Sequence, residues 1–167
     1  TADQIRYAIA ANAPETQDSE FSWKDFQMRC NSELLGKYGN LVNRVLTFTH
    51  KQCSGKIPSF GHLSREDEIF LEKIIDIVKA AYVAYSNFQL RKASQLVMML
   101  AQEGNVYFDS KSPWKAAKDP HLIPSMETTI ACCIKCLSYI ALVSFPIIPN
   151  TAEKLWGLLG NNDRIIE

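Results

Sequence analysis

Asn40 and Arg44 stand one helical turn apart, so their side chains can reach one target together. An amide beside a guanidinium is a good pair for reading nucleobase edges and backbone phosphate. Glu33 and Lys37 lie on the same polar row and read as a solvated face, which the whole row would equally be on spacing alone. Trp114 opens a short helix between two polar segments, where a rigid ring could offer its face to an unstacked base, a contact worth ~1–3 kcal/mol. Most Trp residues are packing groups, and Trp23 and Trp156 are expected to be. Cys132-Cys133-Ile-Lys-Cys136 contains a Cys-x-x-Cys. For zinc it lacks a second pair or a His at ligand spacing, and for redox chemistry it lacks a neighbouring sheet. Apolar packing within a helix is the better reading. His50, His62 and His121 are scattered, no Gly-rich loop could cradle a phosphate, and no catalytic or metal site emerges.

The composition bounds these choices. Lys plus Arg and Asp plus Glu both number 18, so the net charge is zero. Proteins that hold nucleic acid by bulk phosphate neutralisation are basic. RNA binding here must therefore rest on a small local site or on another domain. A chain of 167 residues with 47% hydrophobic side chains is most simply one globular domain with a sizeable core. The apolar run from Ile130 to Ile148 is interrupted by Lys135, Ser138, Ser144 and Pro146, which marks a core helix and argues against a membrane partner. Five Cys without a secreted spacing pattern point to a reducing cytoplasm.

The elements that must position Asn40, Arg44 and Trp114 are all helical. Thr1 to Ala11 predicts a short helix with Thr1 as cap, Asp3 in the first turn, and Ile5 and Ile9 one turn apart. The chain has no initial Met and Thr1 is a poor natural start, which suggests a piece of a longer protein. Residues 12–20 are polar and contain Pro14, hence a loop. Ser22 with Asp25 predicts the start of a long helix reaching about Thr49, with Leu34, Tyr38, Leu41, Val45 and Phe48 as its buried face. Gly36 and Gly39 inside it either permit a close crossing or are tolerated.

Ser64 with Asp67 starts a helix whose Ile74, Ile77, Val78, Ala81 and Tyr85 turn inward. A break at Ser86-Asn87 leads to a helix over about 88–108, with Ala93, Leu96, Val97, Leu100, Gly104 and Tyr107 inside. Ser112 as cap and Pro113 at the first helical position predict the short helix carrying Trp114, ended by Pro120 and Pro124. Ser125 to Phe145 follows as a very apolar helix, and Asn150 with Glu153 predicts the cap of a last helix closed by Gly160. The sum is an all-α, mostly antiparallel helical bundle. In such a bundle the helix of Trp114 can lie beside Asn40 and Arg44.

Four stretches carry a family likeness. Gln4 to Phe26, with Ala10-Ala11-Asn12-Ala13-Pro14-Glu15-Thr16, resembles the segment of methionyl-tRNA synthetases that leaves the catalytic domain. Asn31 to Arg44 resembles the first long helix of that family's anticodon-binding domain, Ser112-Pro-Trp-Lys-Ala-Ala-Lys118 its second signature, and Phe145 to Trp156 its closing segment. The last is shared with related class I synthetases for leucine, isoleucine and valine. The likeness covers nearly the whole chain in order.

The resemblance implies residues 1–21 as a connector from a catalytic domain and residues 22–167 as an anticodon-binding bundle. It implies that Asn40, Arg44 and Trp114 meet the anticodon loop of tRNA(Met), sequence CAU, with Trp114 stacked on the first anticodon base. The nucleotide-binding fold with its HIGH-type and KMSKS-type signatures does not occur in these residues, so the chain alone is expected to catalyse nothing. No cofactor is expected in this chain. The resemblance implies ATP with Mg for the whole enzyme and allows structural zinc outside this chain. Two alternatives stay open: a stand-alone helical protein-interaction module descended from such a domain, and the anticodon domain of another class I synthetase.

Overall fold

Residues 123–144 carry apolar and small side chains on every side, and a helix of that kind must be enclosed. In the computed structural model, which describes residues 1–15 and 18–165, they form the central helix of an all-α bundle, and the described residues include no strand. The elements are α1 (Ala2–Ala11), α2 (Trp23–Arg29), a π-helical stretch (Cys30–Gly39), α3 (Asn40–Gln52), α4 (Arg65–Ser86), α5 (Leu90–Lys111), α6 (Pro113–Ala116), a 3-10 turn (Pro120–Leu122), α7 (Ile123–Ser144) and α8 (Pro149–Leu158). By length and composition α7 could cross a membrane, yet it lies inside the bundle, packed by α4, α5 and α8. Cys132, Cys133 and Cys136 are buried there as core groups, and burial pushes their thiols up from the ordinary range. Of the expected loop, residues 16 and 17 lie outside the described residues, as do 166 and 167 at the end of the expected bundle.

Residues 23–52 run as one helix that changes gauge in the middle. Ser22 caps its start by accepting the Asp25 amide. Through Cys30–Gly39 the helix widens, and the Asn40 amide donates to the carbonyl of Leu35, five residues back. Gly36 and Gly39 belong to this wide stretch, where an added Cβ would sit 3.1 Å from the carbonyls of Asn31 and Leu34. The close crossing falls instead at Gly104 on α5. A Cβ there would stand 2.5 Å from Leu41 Cδ2 and 3.3 Å from Cys136 Sγ. Tyr38, Leu41 and Val45 are buried as the spacing predicts, with Leu34 and Phe48 packed at the core's edge.

Three expectations about termini are corrected. Asn150 does not cap α8; Ile148 holds the cap position and Pro149 the first turn. The capping acceptor comes from α1: Asp3, buried, takes the Thr151 backbone amide at 2.6 Å, the Thr151 hydroxyl at 2.7 Å and the Asn150 side-chain Nδ2 at 3.0 Å. Ser112 caps no helix with its side chain; it takes a left-handed conformation (φ 44°) that closes α5 and turns the chain into α6. Pro124 sits inside the first turn of α7 rather than before it, where a missing amide proton loses nothing. Ile5 and Ile9 are exposed, because Tyr7, Ala8, Ala10 and Ala11 form the buried side of α1. Trp23, expected to be a core or interface packing group, is 76% exposed and lies edge-on to its neighbours Phe21 and Phe26, so it is not a core residue of the bundle. Trp156 packs against the core's edge.

One buried polar group ties α4 to α5. Asp67, 3% exposed, closes the capping box with Ser64 and also accepts from the Tyr107 hydroxyl (2.6 Å) and the Lys111 ammonium (2.8 Å). Phe70 stacks flat on the Tyr107 ring at 3.9 Å. Burial opposes the charge of Asp67, but Lys111, Tyr107 and Ser64 outweigh it and hold the carboxyl at about 2. A carboxyl with a depressed folded pKa stabilises fully above its unfolded value and loses that contribution as pH falls through the folded value. Urea unfolding should therefore show a loss on the order of 2 kcal/mol between about pH 4 and pH 2, which Asp67→Asn abolishes. Gly104→Ala should destabilise by about 1–3 kcal/mol despite the better helix propensity of Ala, since Leu41 must move. An unchanged midpoint would show that the crossing is loose.

Candidate nucleic-acid interface

Asn40 and Arg44 begin α3, and both reach across to α5. Asn40 Nδ2 donates to Asn105 Oδ1 at 2.9 Å. Arg44 forms a two-point pair with Asp109, including Nη1 to Oδ2 at 3.3 Å. Pairs 40–105 and 44–109 advance together, so α3 and α5 are parallel neighbours. This pair is an exception within the expectation of mostly antiparallel neighbours, and α4, whose Asp67 meets Tyr107 and whose Lys73 meets Glu103, runs antiparallel to α5. The Arg44 guanidinium beside Asp109 holds its carboxyl below the usual range.

The indole of Trp114 joins this pair through the turn at Ser112. Its ring centroid is 5.8 Å from that of Phe108 at a tilt of 52°, and Phe108 meets Phe48 edge-on at 5.9 Å. The Arg44 guanidinium carbon lies 4.9 Å from the Phe108 ring centre and 6.0 Å from that of Trp114. These are cation–π distances. Trp114 remains 38% exposed, so the ring is braced from behind and open in front. A bundle thus presents an amide, a guanidinium and an indole on one open surface. Lys115 and Lys118 are exposed on the same short segment and add local positive charge to a neutral chain.

All three residues nominated by type and spacing come together here. Glu33, expected on a solvated face, departs from that expectation. Glu33 is drawn to α1, where it accepts from the Tyr7 hydroxyl at 2.7 Å and meets Arg29 at 3.6 Å. Asn105, Phe108 and Asp109 escaped the sequence reading. The available signal was their spacing: Asn105, Phe108 and Asp109 repeat at three and four residues, the same period that grouped Asn40 with Arg44. Two hollows of similar size lie elsewhere: an apolar groove of about 460 Å³ lined by Leu34, Val42, Leu46 and Leu155, and one of about 470 Å³ lined by Ile9, Phe21, Leu90 and Ile147. Stacking and edge recognition of an unpaired base need an open platform rather than an enclosed cavity.

Residues 1–46 match a family model described as tRNA synthetases class I (M), and residues 57–166 match the anticodon binding domain of methionyl tRNA ligase. The fold and the match define a class I aminoacyl-tRNA synthetase bundle of the anticodon-binding type. Within that class, the chain belongs to the methionyl-tRNA ligase family. It is 62% identical over 160 residues to the methionine–tRNA ligase of Protochlamydia amoebophila, covering 96% of this chain and 23% of that protein. It is 45% identical over 158 residues to the Chlamydia abortus enzyme, covering 94% and 28%. The Mycobacterium tuberculosis methionyl-tRNA synthetase with methionyl-adenylate superposes with a TM-score of 0.90 at 25% identity, over 95% of this chain and 32% of that one. The unliganded form of that enzyme gives 0.91 over 98% and 34%. The chain therefore spans about a quarter of the length of its curated relatives.

The pairing of Arg44 with Asp109 yields a measurable expectation. Asp109→Asn uncovers a full positive charge at the surface. If Arg44 meets backbone phosphate, affinity for an RNA hairpin should rise for any loop sequence with a salt slope steeper by roughly one unit; if it reads a base edge, the gain should be confined to the cognate loop. An unchanged slope would show that Arg44 does not meet phosphate.

Proposed function

We propose that this bundle reads the CAU anticodon of tRNA(Met) within a cytoplasmic methionine–tRNA ligase. Residues 1–21 join it to the catalytic domain of the same parent chain, and residues 22–167 form the reading module. The observation that carries the proposal is the meeting of Arg44 with Trp114 across 6.0 Å, with Asn40 one turn away on the same helix. Trp114 stacks on the first anticodon base, while Asn40 and Arg44 hydrogen-bond to base edges. Family membership supports these roles, and so does the neutral charge: a few base contacts supply discrimination while the catalytic domain adds backbone contacts.

Methionine activation with ATP and Mg, and any structural zinc, belong to the part of the enzyme outside these residues. Among the described residues no group of His, Cys, Asp and Glu could hold a metal ion. On this reading the contribution of these residues to the reaction is to position the tRNA so that the acceptor end enters the catalytic domain.

In the full-length enzyme, Trp114→Ala should lower kcat/KM for tRNA charging by an amount on the order of 2–4 kcal/mol while leaving methionine adenylation nearly unchanged. An equal fall in both activities, or no fall in charging, sinks the proposal.

A further inference from the structure

Asn105 is 7% exposed, and every polar atom of its side chain is used. Its Nδ2 donates to two main-chain carbonyls, Ala101 one turn back on its own helix (2.9 Å) and Lys37 across the α3–α5 crossing (3.0 Å). A carbonyl oxygen accepts and never donates, so the atom facing both must be the NH2 group. The atom left for Asn40 is therefore an oxygen, and an oxygen demands a donor. Asn40 must turn its own NH2 inward, as its 2.9 Å bond to Asn105 Oδ1 requires. What Asn40 then presents outward is a carbonyl oxygen, together with one remaining N–H.

Resting on the anticodon-reading proposal above, we infer that Asn105 is a positioning residue which sets the polarity of Asn40, so that Asn40 meets RNA as a hydrogen-bond acceptor. An unconstrained asparagine can rotate its amide by half a turn and accept or donate equally well. The two carbonyls behind Asn105 remove that freedom. The base edge facing Asn40 is consequently one that offers an N–H, such as an exocyclic amine. A carbonyl-bearing edge placed against that oxygen meets oxygen with oxygen. Fixing the amide before the RNA arrives turns a group of either polarity into a selective one, and discrimination of this kind comes from leaving the wrong partner's groups unpaired.

The test is a mutant cycle in the full-length ligase, reading kcat/KM for tRNA with the CAU anticodon relative to transcripts changed at one anticodon base. Asn40→Ala and Asn105→Ala should each lower this ratio about tenfold at the base that Asn40 reads, and the double variant should lose no more than either alone. Fully additive losses, or an Asn105→Ala enzyme with undiminished discrimination, overturn the inference. A second variant leaves Asn105 in place and carries the test if Asn105→Ala unfolds. Asn40→Asp keeps an outward acceptor but sets oxygen against the Asn105 oxygen, so it should lose at least as much as Asn40→Ala; retention of the native ratio overturns the inference. If Asn40→Ala and Trp114→Ala are both silent, the anticodon-reading proposal itself falls and takes this inference with it. A discriminating Asn40 with an additive Asn105 sinks the inference alone.

Discussion

The missing Cβ of Gly104 is the constraint on which the interface depends. With Leu41 filling the space beside it, α3 and α5 approach closely enough for short side chains to bridge them directly. Asn40 and Asn105 are both short, and their 2.9 Å bond exists only at this separation. Arg44 and Asp109 close the next turn of the same parallel pair. A methyl group at Gly104 would separate the helices, and packed interiors absorb such a change by shifting whole elements rather than by local compression.

What the crossing does for Asn40 and Arg44, the buried Asp67 does for Trp114. Tyr107 and Lys111 from the last turns of α5 converge on one carboxylate at the start of α4. This stops α5 from fraying just where Ser112 must take its left-handed turn. Pro113, buried and with its φ fixed by the ring, then launches α6 in a single direction. Phe108 braces the indole from behind. The platform is thus a consequence of capping chemistry one layer below the surface.

Much of this was legible in the residues. The buried face of α3, the Ser22 and Ser64 starts and the all-α bundle follow from period and type; Asn40, Arg44 and Trp114 are candidates on spacing and position, and their anticodon roles come from the family resemblance. The π-helical stretch was not legible, because its apolar spacing fits an ordinary helix within a residue or so and the widening is decided by packing. Asp3 looked like a residue serving its own helix dipole, yet it caps α8 from across the fold. Asn105 lies unremarked in the expected helix over 88–108 and Asp109 just beyond its end, although α5 runs on to Lys111, since partners 65 residues away leave no local trace. Ser112 carries the same ambiguity, as a Ser before Pro signals a cap whether or not its backbone turns left.

The Arg44–Asp109 pair also has a kinetic side. The chain is neutral overall, and the one guanidinium on the platform faces a carboxylate, so little field reaches beyond a Debye length into solvent. An RNA partner is not drawn in from afar by this module, and its arrival is governed by orientation and by whatever charge the rest of the parent chain provides. On the proposed reading, a base that hydrogen-bonds to Arg44 must exchange for its Asp109 partner, so selectivity would reside in how long a docked loop stays.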